Sequence, residues 1–347
     1  MAEPGPETED SGETRAQEIV AQVESGPRNP EFWLSRLTIM LLCIAWSGYQ
    51  LYIAYQPIDA TIARAWHLAF AILLVFLAYP AFNEARPPFW VKLWRRLLPR
   101  RRRKRSLRGY IPLFDVALGV IAAAAALYIW WDYEGIIMRQ GIPSNADVWI
   151  GVVMIILLLE AARRALGSAL PILGIIFLAY SFLGPYLPEI LRHRGIPLDY
   201  VINDQYLSTT GIFGVPLAVS TDFVFLFVLF GALLDRAGAG KYFIDVAFAG
   251  LGWMRGGPAK AAVVASGLTG MVSGSSIANT VTTGTFTIPL MKKVGLPAHK
   301  AAAIEVAAST NGQLMPPIMG AAAFIMAEII GIPYLDVVRA ALIPALI

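Results

Sequence analysis

The sequence predicts an all-α polytopic membrane protein, and three observations carry that prediction. Of 347 residues, 57% are hydrophobic and 15% charged, with a mean hydropathy of +0.59. Soluble domains sit near about 45–50% apolar and about 25% charged, so a soluble globular protein is excluded. The apolar residues fall into blocks of bilayer-spanning length. The remaining charge (net +4) gathers between those blocks rather than along helix faces. Cys43 is the single cysteine, which rules out an intramolecular disulfide. His67, His193 and His299 lie far apart in sequence and offer no zinc-like spacing.

Residues 1–30 carry seven acids (Glu3, Glu7, Glu9, Asp10, Glu13, Glu18, Glu24) against Arg15 and Arg28, among Pro, Gly and Ser. They read as a disordered acidic tail. They are not a signal peptide, because no basic stretch leads directly into an apolar core. Spans follow at Trp33–Tyr55 and Trp66–Phe82. Next comes a basic loop, 86–109, with Lys92, Arg95, Arg96, Arg100 to Arg103, Lys104, Arg105 and Arg108. A nucleic-acid patch has this composition too, but a basic run between two apolar spans obeys the positive-inside rule. The loop and the N-terminus are therefore expected in the cytoplasm, with anionic lipid headgroups as natural contacts and no nucleic acid. Further spans are expected at Pro112–Trp131, Val148–Ala162, Leu170–Leu187 and Val215–Leu234. Arg163 and Arg164, then Asp235, Arg236 and Lys241, mark cytoplasmic ends. The polar segment Glu189–Gly214 is expected outside, and residues 242–256 as an interfacial amphipathic helix.

The informative stretch is Ala261–Met291, inside an expected hairpin 259–293. It holds thirty-one residues without a charge, yet eleven are Ser, Thr or Asn and four are Gly. One straight helix of that length would be about 46 Å long, beyond the roughly 30 Å hydrocarbon core. Lys260 flanks one end and Lys292 and Lys293 the other, so both ends are expected on one face. The centre, Ser273-Gly274-Ser275-Ser276-Ile277-Ala278-Asn279-Thr280, has the residues that break helices. Two half-helices of about 12–14 residues, each about 20 Å long, would meet near mid-membrane. Freed carbonyls and Ser or Asn oxygens would then cage a small cation, while the second half-helix offers its N-terminus to an anion. The bland alternative is a tilted packing helix rich in small residues.

A broken helix is expected at 298–330. Ala301–Ser309 forms one half, Thr310-Asn311-Gly312-Gln313-Leu314-Met315-Pro316-Pro317 interrupts it, and Ile318–Ile330 resumes. Asn311 beside the break is a candidate partner for the hairpin loop. Glu305 lies deep by this reading and is a candidate proton carrier, whereas Glu328, Asp222 and Asp245 fall near interfaces.

The runs GLTGMVSGSSIANTVTTGTFTIPLMKKVG and ASTNGQLMPPIMGAAAFIMAEIIGIPY resemble the large membrane subunit of TRAP transporters, in the TAXI branch. The similarity covers roughly residues 165–347. Residues 31–165 resemble a four-span small subunit (scaffold) in hydropathy and position. The resemblance implies an elevator-type secondary transporter fold in a prokaryotic inner membrane. It implies a permease of a tripartite system that works with a TAXI-type periplasmic solute-binding protein and imports a small organic acid with Na+. No cofactor beyond that ion is implied. Carried onto this chain, the cation site falls at Ser273, Ser275, Ser276, Asn279, Asn311 and Gly312, and solute contacts at Thr280, Thr283, Pro316 and Pro317. The resemblance implies two inverted repeats. Residues 166–347 hold one, so the chain is expected to be C-terminally incomplete, either as a fragment or with its second half elsewhere, and to lack the second ion site and half of the solute site.

Other function classes fare worse. No G-x-x-x-x-G-K-[ST] loop is present, since Gly240-Lys241 is followed by Tyr242. An intramembrane serine hydrolase would need a base, and His67, His193 and His299 are poorly placed for Ser273, Ser275 or Ser276. Proton coupling within the same family, an ion channel or an assembly subunit are the remaining alternatives to sodium symport.

Overall fold

The computed structural model describes residues 28, 30, 32–81, 111–139 and 141–346. The acidic tail, apart from Arg28 and Pro30, and the basic loop 86–109 lie outside the described residues. The fold is all-α, with no strand among the described residues. Among the described residues six helices are long and apolar enough to cross a membrane: Trp33–Tyr55, Ala60–Ala78, Leu113–Trp131, Asn145–Leu166, Ala169–Tyr186 and Val215–Leu234. The chain divides into two compact units between Thr221 and Asp222.

The first unit contains α1 (Trp33–Tyr55), α2 (Ala60–Ala78), α3 (Leu113–Trp131), α4 (Tyr133–Met138), α5 (Asn145–Leu166), α6 (Ala169–Leu183), α7 (Leu198–Ile202) and α8 (Val215–Val219). Helix α2 starts six residues before the expected Trp66, because the Asp59 carboxylate accepts the Thr61 and Ile62 amides at 2.8 and 3.3 Å. Helix α5 starts early for a similar reason. Ser144 and Asp147 form a reciprocal capping box there. Small residues let α2, α3 and α5 approach closely: Ala65, Ala69, Ala122, Ala126 and Ala161 are buried beside Ile72, Phe76, Ile129, Met154 and Leu157.

Two features of this unit were not read from the sequence. Part of the polar segment 189–214 packs into the core. After α7 a π-helical turn, Asn203–Leu207, carries Tyr206 into the core, where it is fully buried and its hydroxyl donates to the Ala125 carbonyl at 2.6 Å. Ile202 and Phe213 are buried in the same cluster. The tyrosine hydroxyl needs a carbonyl partner when buried, and α3 supplies one. The second feature is an ion cluster. Arg28 (2.7 Å) and Arg164 (2.9 Å) both bind Asp115, and all three side chains are at most 4% exposed. Arg28 also donates to the Phe76 and Leu77 carbonyls, Arg164 to that of Tyr79, and Arg163 to that of Ala81. Three guanidiniums thus satisfy the carbonyls left open at and just beyond the C-terminus of α2.

The second unit comprises α9 (Phe225–Arg236), α10 (Ala239–Leu251), α11 (Gly257–Ser273), α12 (Ser276–Lys293), α13 (Ala298–Asn311), α14 (Ala321–Ile330) and α15 (Tyr334–Leu346). Helix α10 covers much of the expected interfacial helix and packs along α11. Phe324 anchors α14, stacked on Tyr334 at 4.2 Å between ring centres and flanked by Phe227 at 5.2 Å.

Candidate ion and solute site at two chain interruptions

Helix α11 stops at Ser273 because Gly274 adopts a left-handed φ of 58°, and α12 begins at Ser276 and packs back against α11. The hairpin arms hold 17 and 18 residues, or about 25–27 Å each, longer than the 12–14 expected. The first arm gains length at its start, where Gly256 turns left-handed and Pro258 sits in the first turn. The second runs on through Pro289 to Lys293.

The broken helix stops at Asn311 and resumes at Ala321, so the interruption starts two residues later and ends three residues later than expected. Non-helical backbone crosses from Gly312 to Gly320, including a cis peptide at Pro316–Pro317 and Met319 at φ 60°. Tyr334 donates its hydroxyl toward the Ile318 and Pro317 carbonyls, at 2.7 and 2.8 Å.

The two interruptions meet. A methyl group placed on Gly274 would lie 2.6 Å from the Met319 carbonyl oxygen, and one on Gly270 would lie 2.4 Å from the Gly312 Cα. The Gln313 amide donates to Ser276 Oγ at 3.2 Å. Hairpin tip and helix crossing therefore touch backbone to backbone, the arrangement in which unpaired carbonyl and amide groups can face a ligand. Gly274→Ala is expected to cost about 2–4 kcal/mol, joining the strain of left-handed backbone to overpacking. Gly295→Ala, at φ 94° with open space around it, pays only the conformational part. Comparing the two melting temperatures in detergent checks the difference.

The sequence-chosen residues divide by environment. Ser273, Ser275, Ser276 and Thr280 sit at the tip and are exposed or half-buried, and Ser273 Oγ faces the Ser275 backbone at 3.4–3.5 Å. Thr280 Oγ1 donates to the Ser276 carbonyl at 2.7 Å. Asn279 is buried and turned inward: its amide donates to the Ser266 carbonyl (2.8 Å) and Oγ (3.0 Å), and its oxygen accepts Thr269 at 2.6 Å. Gly312 is buried at the crossing. Pro316 and Pro317 lie on it, half-buried and exposed. The Asn311 amide donates to the Ala345 carbonyl of α15 at 2.8 Å rather than to the hairpin loop. Thr283 is buried against Glu305, as are Thr287 and Ser309. Sequence reasoning missed Ser266, Thr269, Thr287, Ser309 and Tyr334. For the first three, hydroxyls at three- or four-residue spacing inside an uncharged helix were the available signal.

Among the described residues no cluster of three His, Cys, Asp or Glu side chains stands ready for a metal ion. A cation here would be held by backbone and hydroxyl oxygens, donors that suit hard cations better than soft transition metals.

Comparison with known proteins locates this region within a family. The family model described as "Tripartite ATP-independent periplasmic transporter, DctM component" matches residues 153–347. A stretch of 91 residues, 26% of this chain, is 41% identical to the C4-dicarboxylate TRAP transporter large permease protein DctM of Pseudomonas aeruginosa and 40% identical to that of Vibrio cholerae. It is 30% identical to a putative TRAP transporter large permease protein of Haemophilus influenzae. The stretch covers 20–21% of those relatives, so the chain spans about a fifth of their length in the matched region. No solved structure matches.

Proposed function

Because the chain belongs to the DctM component family of tripartite ATP-independent periplasmic transporters, we propose that it supplies part of a permease that imports a small organic acid by sodium symport, with an elevator motion of the hairpin unit. The six apolar helices and the family make it a multi-pass protein of the bacterial inner membrane. It is a transporter component and not an enzyme.

The meeting of Gly274 with Met319 and of Gly270 with Gly312 carries this reading. A symporter must bind ion and solute at one place inside the membrane, and two adjoining helix interruptions are where backbone oxygens and amides can turn to such ligands. Ser273, Ser275, Ser276, Asn279, Asn311 and Gly312 are the proposed cation region. Thr280, Thr283, Pro316 and Pro317 are the proposed solute region. The names of the Vibrio and Pseudomonas relatives favour a C4-dicarboxylate as solute. A periplasmic solute-binding protein, of the TAXI type by its sequence resemblance, is the proposed partner. Residues 31–165 are proposed as a fused small-subunit-like scaffold. The membrane potential suffices as the energy source, at about 2.3 kcal/mol per charge for each 100 mV.

Uptake by the complete transporter with its binding protein, measured at fixed pH with sodium replaced by choline, tests the proposal. Uptake is expected to stop. Unchanged uptake overturns sodium coupling. Asn279→Ala removes three hydrogen bonds between the hairpin arms and is expected to raise the half-saturating sodium concentration about tenfold, the scale of one or two buried hydrogen bonds.

A further inference from the structure

Glu305 is fully buried and makes no ion pair among the described residues. A buried carboxyl group without a basic partner is costly unless hydrogen bonds satisfy it. Here three hydroxyl groups do so. Thr283 and Thr287 approach from the second hairpin arm, the latter at 2.5 Å, and Ser309 from one turn along α13, at 3.2 Å. The acid fits because Gly284 leaves a slot: a methyl there would lie 3.3 Å from Glu305 Cγ.

The chain of contacts continues. Ser309 Oγ lies 3.0 Å from Ser266 Oγ on the first arm. Ser266 in turn holds the Asn279 amide, and Asn279 accepts Thr269. One unbroken run of hydroxyl, carboxyl and amide groups thus joins α13 to both hairpin arms and ends one residue from Gly270, where the hairpin touches Gly312.

We propose that Glu305 is a positioning residue that fastens the hairpin to the first half of the broken helix, so that the Gly274 tip and the 312–320 crossing keep the register their ligands require. This rests on the reading of that junction as the binding region. Fastening needs a side chain of this length with hydrogen-bonding capacity at both terminal atoms, and it does not need a charge. Glutamine meets both conditions. Its oxygen accepts Thr283 and Ser309, and its nitrogen donates to Thr287, whose own proton turns to the Thr283 carbonyl 3.0 Å away. A proton carrier, by contrast, tolerates no glutamine.

The test uses the complete transporter in proteoliposomes with its binding protein. Variants are Glu305→Gln, Glu305→Ala, Thr287→Ser, and the pair Thr287→Val with Ser309→Ala. Readouts are the half-saturating sodium concentration, the pH profile of uptake, and amide hydrogen exchange over residues 279–287 and 305–309. Glu305→Ala and the hydroxyl-deleting pair are expected to speed exchange in both segments and raise half-saturating sodium, each about tenfold or more, with coupled losses across contacting residues. Glu305→Gln and Thr287→Ser are expected to restore both to within about threefold and to keep the pH profile. Loss of uptake or a flattened pH profile in a well-folded Glu305→Gln overturns the proposal in favour of proton carriage. So does unchanged exchange in the hydroxyl-deleting pair, which remains informative if Glu305→Ala does not accumulate. If wild-type uptake ignores sodium, the symport reading fails, while the exchange data still judge the fastening.

Discussion

Replacing Asp115 by alanine is expected to destabilise the first unit by about 3–5 kcal/mol, the cost of stranding buried charge. Arg28 and Arg164 are each 1% exposed at the side chain, and both pair with the single carboxylate of Asp115. Removing the carboxylate leaves two guanidiniums close together with no counter-ion between them. Glu160 still reaches Arg164 at 2.8 Å, but it is 27% exposed and shared with Arg163, so its compensation is partial. Thermal unfolding in detergent measures the effect. Asp115→Asn is expected to lose less, because its oxygen still accepts one guanidinium. Arg163→Ala is expected to change stability by less than about 1 kcal/mol, as its pairing with Glu160 is partly exposed. Equal losses for Asp115→Ala and Arg163→Ala would refute the assigned hierarchy.

Gly270→Ala is expected to cost about 3 kcal/mol, at the upper end for overpacking, and to abolish transport. Its new methyl would sit 2.4 Å from the Gly312 Cα and 3.2 Å from the Asn279 amide nitrogen. Backbone opposes backbone, so no rotamer change relieves the clash, and the hairpin must lift off the crossing. Gly267→Ala supplies the control. It lies one turn earlier on the same arm, and its methyl would meet only the terminal methyl of Met315 at 3.3 Å. A flexible methionine gives way there, so near-wild-type stability and uptake are expected. Should Gly270→Ala also transport normally, the backbone junction is not the binding region.

Both substitutions act on features that differ in how far the sequence revealed them. The apolar spans were legible because hydropathy sums over a whole helix, and start points slipped only where local caps such as Asp59 and Ser144 extend a helix beyond its apolar run. The break at Gly274 was legible because glycine, serines and an uncharged flank coincide. The Gly270–Gly312 contact was not: many small residues in both segments offer such a contact, and nothing local says which pair meets. Likewise the hydrogen bonds that tie Asn279 to Ser266 and Thr269 across the two arms were hidden, because nothing local says which way a buried asparagine turns. The seating of Tyr206 and Phe213 was hidden because the segment around them is polar on average, while packing depends on the few residues that face inward.

The junction between the two interruptions also bears on biogenesis. Gly274 and Met319 are about forty-five residues apart, so at about 5–20 residues per second the ribosome needs roughly 2–9 s to deliver the second after the first. Throughout that interval the tip of the hairpin lacks the Met319 carbonyl it later rests on, although Gly231 of α9 already lies against the Val272 carbonyl. A segment rich in serine and threonine must then shelter with the insertion machinery or near the headgroups, and it can enter the bilayer as a finished element only once its companion has been made.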